Sequence, residues 1–195
     1  MKLLLAAFAI ILTPAAAFAH TGAGDAAGLA HGFMHPVGGM DHVLAMVSAG
    51  FFAYMLGGRA LLLVPAAFVA IMAAGGALGM AGAPAPFVEL GIGLSIIVIG
   101  LAAALGQKMP TAAAMTLVGI FAVFHGAAHG SEMPQDSSGL AYAAGFMLAT
   151  ALLHAAGIAV CHVAARLFAG HSRFAARLSG AAAAAAGTGM FVGAF

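Results

Sequence analysis

Long apolar runs, each closed by a short polar or glycine- and proline-bearing break, set the plan of this chain. The first useful run, Met40 to Leu56, is interrupted only by Asp41, His42 and Ser48, and stops at Gly57-Gly58-Arg59. Ala60 to Met80 follows, then the turn Ala81-Gly82-Ala83-Pro84-Ala85-Pro86. Phe87 to Leu105 closes at Gly106-Gln107-Lys108-Met109-Pro110. A run from Thr111 to about residue 129 ends in a polar loop at 131–139. The last two runs are 140–167 and a glycine- and alanine-rich 174–195. Runs of this length and uniformity predict helices that cross a bilayer, each needing about 20 apolar residues. The expectation is an all-α integral membrane protein with one domain over 20–195, a six-helix bundle with spans at about 38–56, 60–80, 87–105, 111–129, 140–167 and 174–195. Thr21 to Leu29 is small, glycine-rich and without apolar periodicity, and is expected to be a flexible segment outside the membrane.

Residues 1–19 differ in kind. Lys2, a short apolar core from Leu3 to Leu12, Pro14 and Ala17-Phe18-Ala19 describe a secretory signal peptide with a small-residue cleavage site. Cleavage there makes His20 the mature N-terminus, either a free tail or, through its amine and imidazole together, a metal ligand; the other reading of the segment is an uncleaved first transmembrane helix. The composition agrees with a membrane location: 64% of the 195 residues are hydrophobic and 6% charged, against about 25% charged in soluble domains. Arg59, Lys108, Arg166, Arg173 and Arg177 all fall at one set of helix ends, while the turns at 81–86 and 131–139 hold no lysine or arginine. The positive-inside rule then makes the basic ends cytoplasmic and both mature termini exported. Nothing resembles a basic patch for nucleic acid. One cysteine, Cys161, excludes an intramolecular disulfide and any paired-cysteine metal motif. Gly75-x-x-x-Gly79 and the stretch from Ala181 to Gly189 suit close helix packing in lipid, and no internal repeat points to an inverted-repeat transporter.

The remaining polar residues gather. His31, His35, Asp41 and His42 sit at the exported end of the first span, Glu89 at that of the third, and His125, His129 and Glu132 at that of the fourth. His125 and His129 are four apart and Glu132 three further, so all three share one face if the helix continues. Ionisable groups inside a membrane persist when paired, ligated or facing water. A single histidine there reads first as a helix cap or packing partner; a group at one depth points to metal or proton handling. Imidazole suits nickel, zinc, copper and iron, and carboxylates add oxygen donors. Glu89 serves either as a ligand or as a charge stabilising a helix N-terminus. His154, about 14 residues into the fifth span, is either a second station for an inward-moving ion or a buried imidazole bonded to a carbonyl. Met34, Met40, Met46 and Met147 are soft donors or flexible packing. His162 and His171 lie near the cytoplasmic surface, where solvation explains them.

Two of these stretches carry a resemblance. His35-Pro-Val-Gly-Gly-Met-Asp-His42 resembles the HPxxGxDH signature of the HupE/UreJ family, and Phe124-His-Gly-Ala-Ala-His-Gly-Ser-Glu132 resembles its second signature, FHGxAHGxE. The resemblance implies a bacterial inner-membrane secondary permease for nickel or cobalt that supplies hydrogenase or urease maturation. His35, Asp41, His42, His125, His129 and Glu132 are then the functional positions. No enzyme activity and no permanently bound cofactor are expected; the metal ion is the transported substrate and the lipid bilayer the other partner. Nothing resembles a nucleotide-binding loop, so transport is facilitated or gradient-driven. Two other classes fit the same residues: an intramembrane zinc hydrolase, with the cluster activating water, and a haem-binding electron carrier with histidine axial ligands.

Overall fold

A computed structural model describes residues 25–106, 108–134, 137–167 and 172–193, so the signal-peptide and His20 expectations, and His171, lie outside the described residues. Within them the chain is helical, in seven segments: α1 Asp25–Gly38, α2 Met40–Leu56, α3 Ala60–Met80, α4 Val88–Leu105, α5 Thr111–Ser131, α6 Gly139–Leu167 and α7 Ser172–Phe191. Four of them, α3 to α6, are long and apolar enough to cross a membrane, and α1 with α2 passes as a fifth if this pair, bent by 81°, counts as one span. Large apolar side chains on these helices face outward, Leu62, Leu94, Ile120 and Leu152 among them, as a lipid-facing surface demands.

One expectation changes and one is matched in part. Asp25–Gly38 is a helix, where a flexible segment had been expected over 21–29. Gly28 and Gly32, one turn apart, are buried against the backbone of Ser138, just before α6, and of Tyr142 within it, and Gly145 of α6 receives Leu29 and Phe33 in return. Leu29, Phe33 and Val37 repeat at helical spacing, but the closest contacts of this helix are made by bare backbone. The sixth span is matched as a helix only. α7 has 20 residues, about 30 Å of helix, but its alanines, glycines and two arginines leave it short of the apolarity of α3 to α6.

The helices alternate in direction. α3 and α5 run parallel and interlock through backbone, since a Cβ on Gly75 would meet the Val123 carbonyl and one on Gly79 the Ala127 carbonyl, while Gly126 and Gly130 abut the backbone of Met72 and Gly76. α4 and α7 are antiparallel and meet at Gly100 and Gly180, with Arg177 Nε donating to the Ala104 carbonyl at 2.7 Å near the C-terminus of α4. α2 lies centrally, and Gly50 and Gly157 bring it onto α6. One end of the bundle therefore collects the N-termini of α2, α4 and α6 and the C-termini of α3 and α5. The basic residues Arg59, Lys108, Arg166, Arg173 and Arg177 belong to the other end.

Candidate metal centre

The helix ends opposite the basic residues bring most of the singled-out polar residues together. α1 and α2 turn at Gly39, whose φ of −95° any residue adopts. What this position requires is space, because a Cβ there would stand 2.7 Å from Asp41 Oδ1 and 3.1 Å from His42 Nδ1. The bend delivers His35 from the last turn of α1 to the same place as His42 from the first turn of α2. His35 Nε2 pairs with Glu132 Oε2 at 2.9 Å, tying α1 to the C-terminal cap of α5. Ring centroids are 4.8 Å apart for His35 and His129, 4.8 Å for His42 and His129, and 5.0 Å for His42 and His125. The His129 ring stacks on Phe146 at 5.1 Å, and Tyr142, buried, closes the side towards α6.

Hydrogen bonds decide which nitrogens are offered. Asp41 Oδ1 accepts from the His42 backbone N–H at 2.8 Å and lies 2.9 Å from His42 Nδ1. A carboxylate beside Nδ1 fixes the proton there, leaving a lone pair on Nε2, which is buried and has no partner. The Ser95 hydroxyl donates its one proton to the Ile92 carbonyl at 2.6 Å, so the contact of 3.0 Å to His125 Nε2 has the imidazole as donor. His125 Nδ1 then carries the free lone pair, again buried and unpartnered, and both nitrogens of His129 are unpartnered too. Buried polar atoms without partners are exceptional and require an explanation.

A shared ion fits this spacing. With a metal–nitrogen distance of about 2 Å the ion stands about 3 Å from each ring centre, so two imidazoles on one ion have centroids about 4.5–5 Å apart. The His42–His125 and His42–His129 separations of 5.0 and 4.8 Å match. The nitrogens are not yet aimed at one point: among the described residues no three His, Cys, Asp or Glu side chains stand ready to hold a metal.

A scan against known families finds the description "HupE / UreJ protein" over residues 8–190. The chain belongs to the HupE/UreJ family. It is also 45% identical over 185 residues to "Protein HupE" of Rhizobium leguminosarum bv. viciae, covering 95% of each chain. No solved structure matches. Membership brings this chain among membrane proteins of the hydrogenase- and urease-accessory nickel and cobalt transporter kind, without naming its ion.

Other singled-out residues fall elsewhere. Glu89 is exposed in the first turn of α4, where its charge complements the helix N-terminus, and takes part in none of the contacts above. His31 and Met40 are exposed, as is Met34. Met46 is fully buried one turn below His42, and His154 is buried on α6. Sequence reasoning passed over Ser95, the one hydroxyl in the apolar run of α4, and also Tyr142, Phe68, Met72 and Thr150. A lone hydroxyl in an otherwise apolar span was the signal available for Ser95.

Proposed function

We propose that this protein is an inner-membrane secondary permease that admits a divalent transition-metal ion, nickel foremost and cobalt next, for hydrogenase or urease metallocentre assembly. One observation carries this most directly. Asp41 and Ser95 each engage one nitrogen of a histidine and leave the other, on His42 and His125, as a buried lone pair in neighbouring rings. Asp41 and Glu132 supply negative charge at the mouth, and His35, Asp41, His42, His125, His129 and Glu132 form the capture site. Six spans, both mature termini exported and basic ends cytoplasmic complete the topology, which the segregation of arginine and lysine supports. In that arrangement α2, most of it buried among its neighbours, and α7 each cross the membrane.

The test is nickel-63 uptake by cells carrying or lacking the protein, with cobalt and zinc as competitors. Uptake that depends on the protein, is reduced by cobalt more than by zinc, and occurs in a preparation without haem absorbance is the expected result. Equal accumulation in the two cell types would overturn the permease function.

A further inference from the structure

Below the capture site the bundle holds a second polar group that the two signature motifs do not contain. Thr150 Oγ1 donates towards Met46 Sδ at 3.3 Å and Met72 Sδ at 3.6 Å, joining α6 to α2 and α3 at a point where all three side chains are fully buried. One turn further along α6, His154 is 1% exposed and neither ring nitrogen has a hydrogen-bond partner. The Phe68 ring stands between the levels, 5.5 Å from His125 and 4.9 Å from His154, centroid to centroid. A buried group left unsatisfied costs about 1–3 kcal/mol, and a leucine in place of His154 would avoid that. Packing therefore does not explain this histidine.

We propose that His154, with the Thr150 hydroxyl one turn away and the Met46 and Met72 thioethers that Thr150 touches, forms a second, inner station for a borderline transition-metal dication, with the Phe68 ring standing between His125 and His154. The donors fit that class of ion. Imidazole and thioether favour nickel or copper over magnesium and calcium, which need oxygen ligands. The named donors are all neutral, whereas the capture site holds Asp41 and Glu132. A dication is thus held less tightly inside than at the mouth. Passage requires that, since a site must bind firmly enough to admit an ion and weakly enough to release it. The helix spacing supplies a route: Met46 lies one turn from His42, Met72 one turn from Phe68, and Thr150 one turn from His154. An ion leaving His125 meets sulfur before it meets the inner imidazole, and Phe68 is the side chain that must swing aside.

The station's place in a transport path rests on the permease function; its ability to bind an ion does not, and the experiment separates the two. Tag-free full-length protein in detergent is dialysed against nickel-63 chloride with magnesium in excess, and the same variants are assayed for uptake in cells. Wild type should bind two ions, one more weakly. His154→Gln should lose the weaker ion and keep the tighter one, with uptake down at least about tenfold, since losing even an outer-shell partner of a metal ligand costs 10–100-fold. Met46→Leu with Met72→Leu, which preserves volume, should weaken the second ion and remove sulfur scattering from the nickel X-ray absorption spectrum. Asp41→Asn should instead weaken the tighter ion. One ion bound by wild type, or two bound equally well by the His154 and methionine variants, overturns the inner station. Loss of both ions on changing His154 alone overturns it too, because a single coupled site would then be at work. If cells show no nickel uptake while wild type still binds two ions as described, the transport function fails and the station stands.

Discussion

Replacing Asp41 by asparagine isolates charge from geometry. An asparagine oxygen can keep both bonds that Asp41 Oδ1 makes, to the His42 backbone N–H at 2.8 Å and to His42 Nδ1 at 2.9 Å. What disappears is one negative charge facing a dication across the imidazole ring. The path from Oδ1 to Nδ1, across the ring to Nε2 and on to the metal puts charge and ion roughly 6–7 Å apart, given a metal–nitrogen bond of about 2 Å. Coulomb's law for charges of −1 and +2 at that distance gives about 1 kcal/mol at the permittivity of water and about 5 kcal/mol at an effective value of about 20. Even the lower figure is close to tenfold in binding. Initial rates of nickel-63 uptake against nickel concentration should therefore show KM raised at least about tenfold in Asp41→Asn, with the maximal rate largely retained at saturating nickel. Membrane insertion is checked by immunoblot. An unchanged KM at normal insertion would refute the electrostatic role; a collapsed maximal rate with unchanged KM would show that Asp41 acts on movement and not on capture.

Other consequences are equally open to measurement. Single cysteines at 59, 108 and 173 should resist an impermeant thiol reagent in intact cells, and those at 84 and 137 should react, once Cys161 is serine. Labelling at 59 or 108 without labelling at 137 would invert the topology. Gly145→Ala puts a Cβ against the Leu29 carbonyl and the Phe33 N–H, which should lower stability by about 1–3 kcal/mol, as overpacking does, and loosen α1. A thermal-shift curve in detergent matching wild type would show that α1 does not depend on this contact.

How much of this the chain discloses before folding depends on the kind of contact. Helices α3 to α6 announce themselves because lipid demands long apolar runs, and the two motifs announce the site because histidine and aspartate are costly in that setting. α1 announces itself less, since its short stripe of Leu29, Phe33 and Val37 is set among glycines and histidines, and Gly28 and Gly32 make their contacts as bare backbone. Glu89 shares the depth of the histidines along the chain, but which way a helix faces follows from its neighbours, and α4 turns this residue outward. Phe68 and Thr150 look like ordinary span residues; only the meeting of α2, α3 and α6 sets one between two imidazoles and the other between two thioethers.

The glycine contacts also partition the molecule mechanically. Carbonyls seated on glycine Cα atoms weld α3 to α5, α1 and α2 to α6, and α4 to α7, and such seams do not slide without colliding. Between the first two blocks the filling is different, being side chains such as Met46, Met72, Phe68 and Phe146, which can change rotamer. His125 and His129 ride on one block, His35 and His42 on the other. The His35–Glu132 pair already spans that joint at 2.9 Å, and an ion taken up by the proposed capture site would span it a second time.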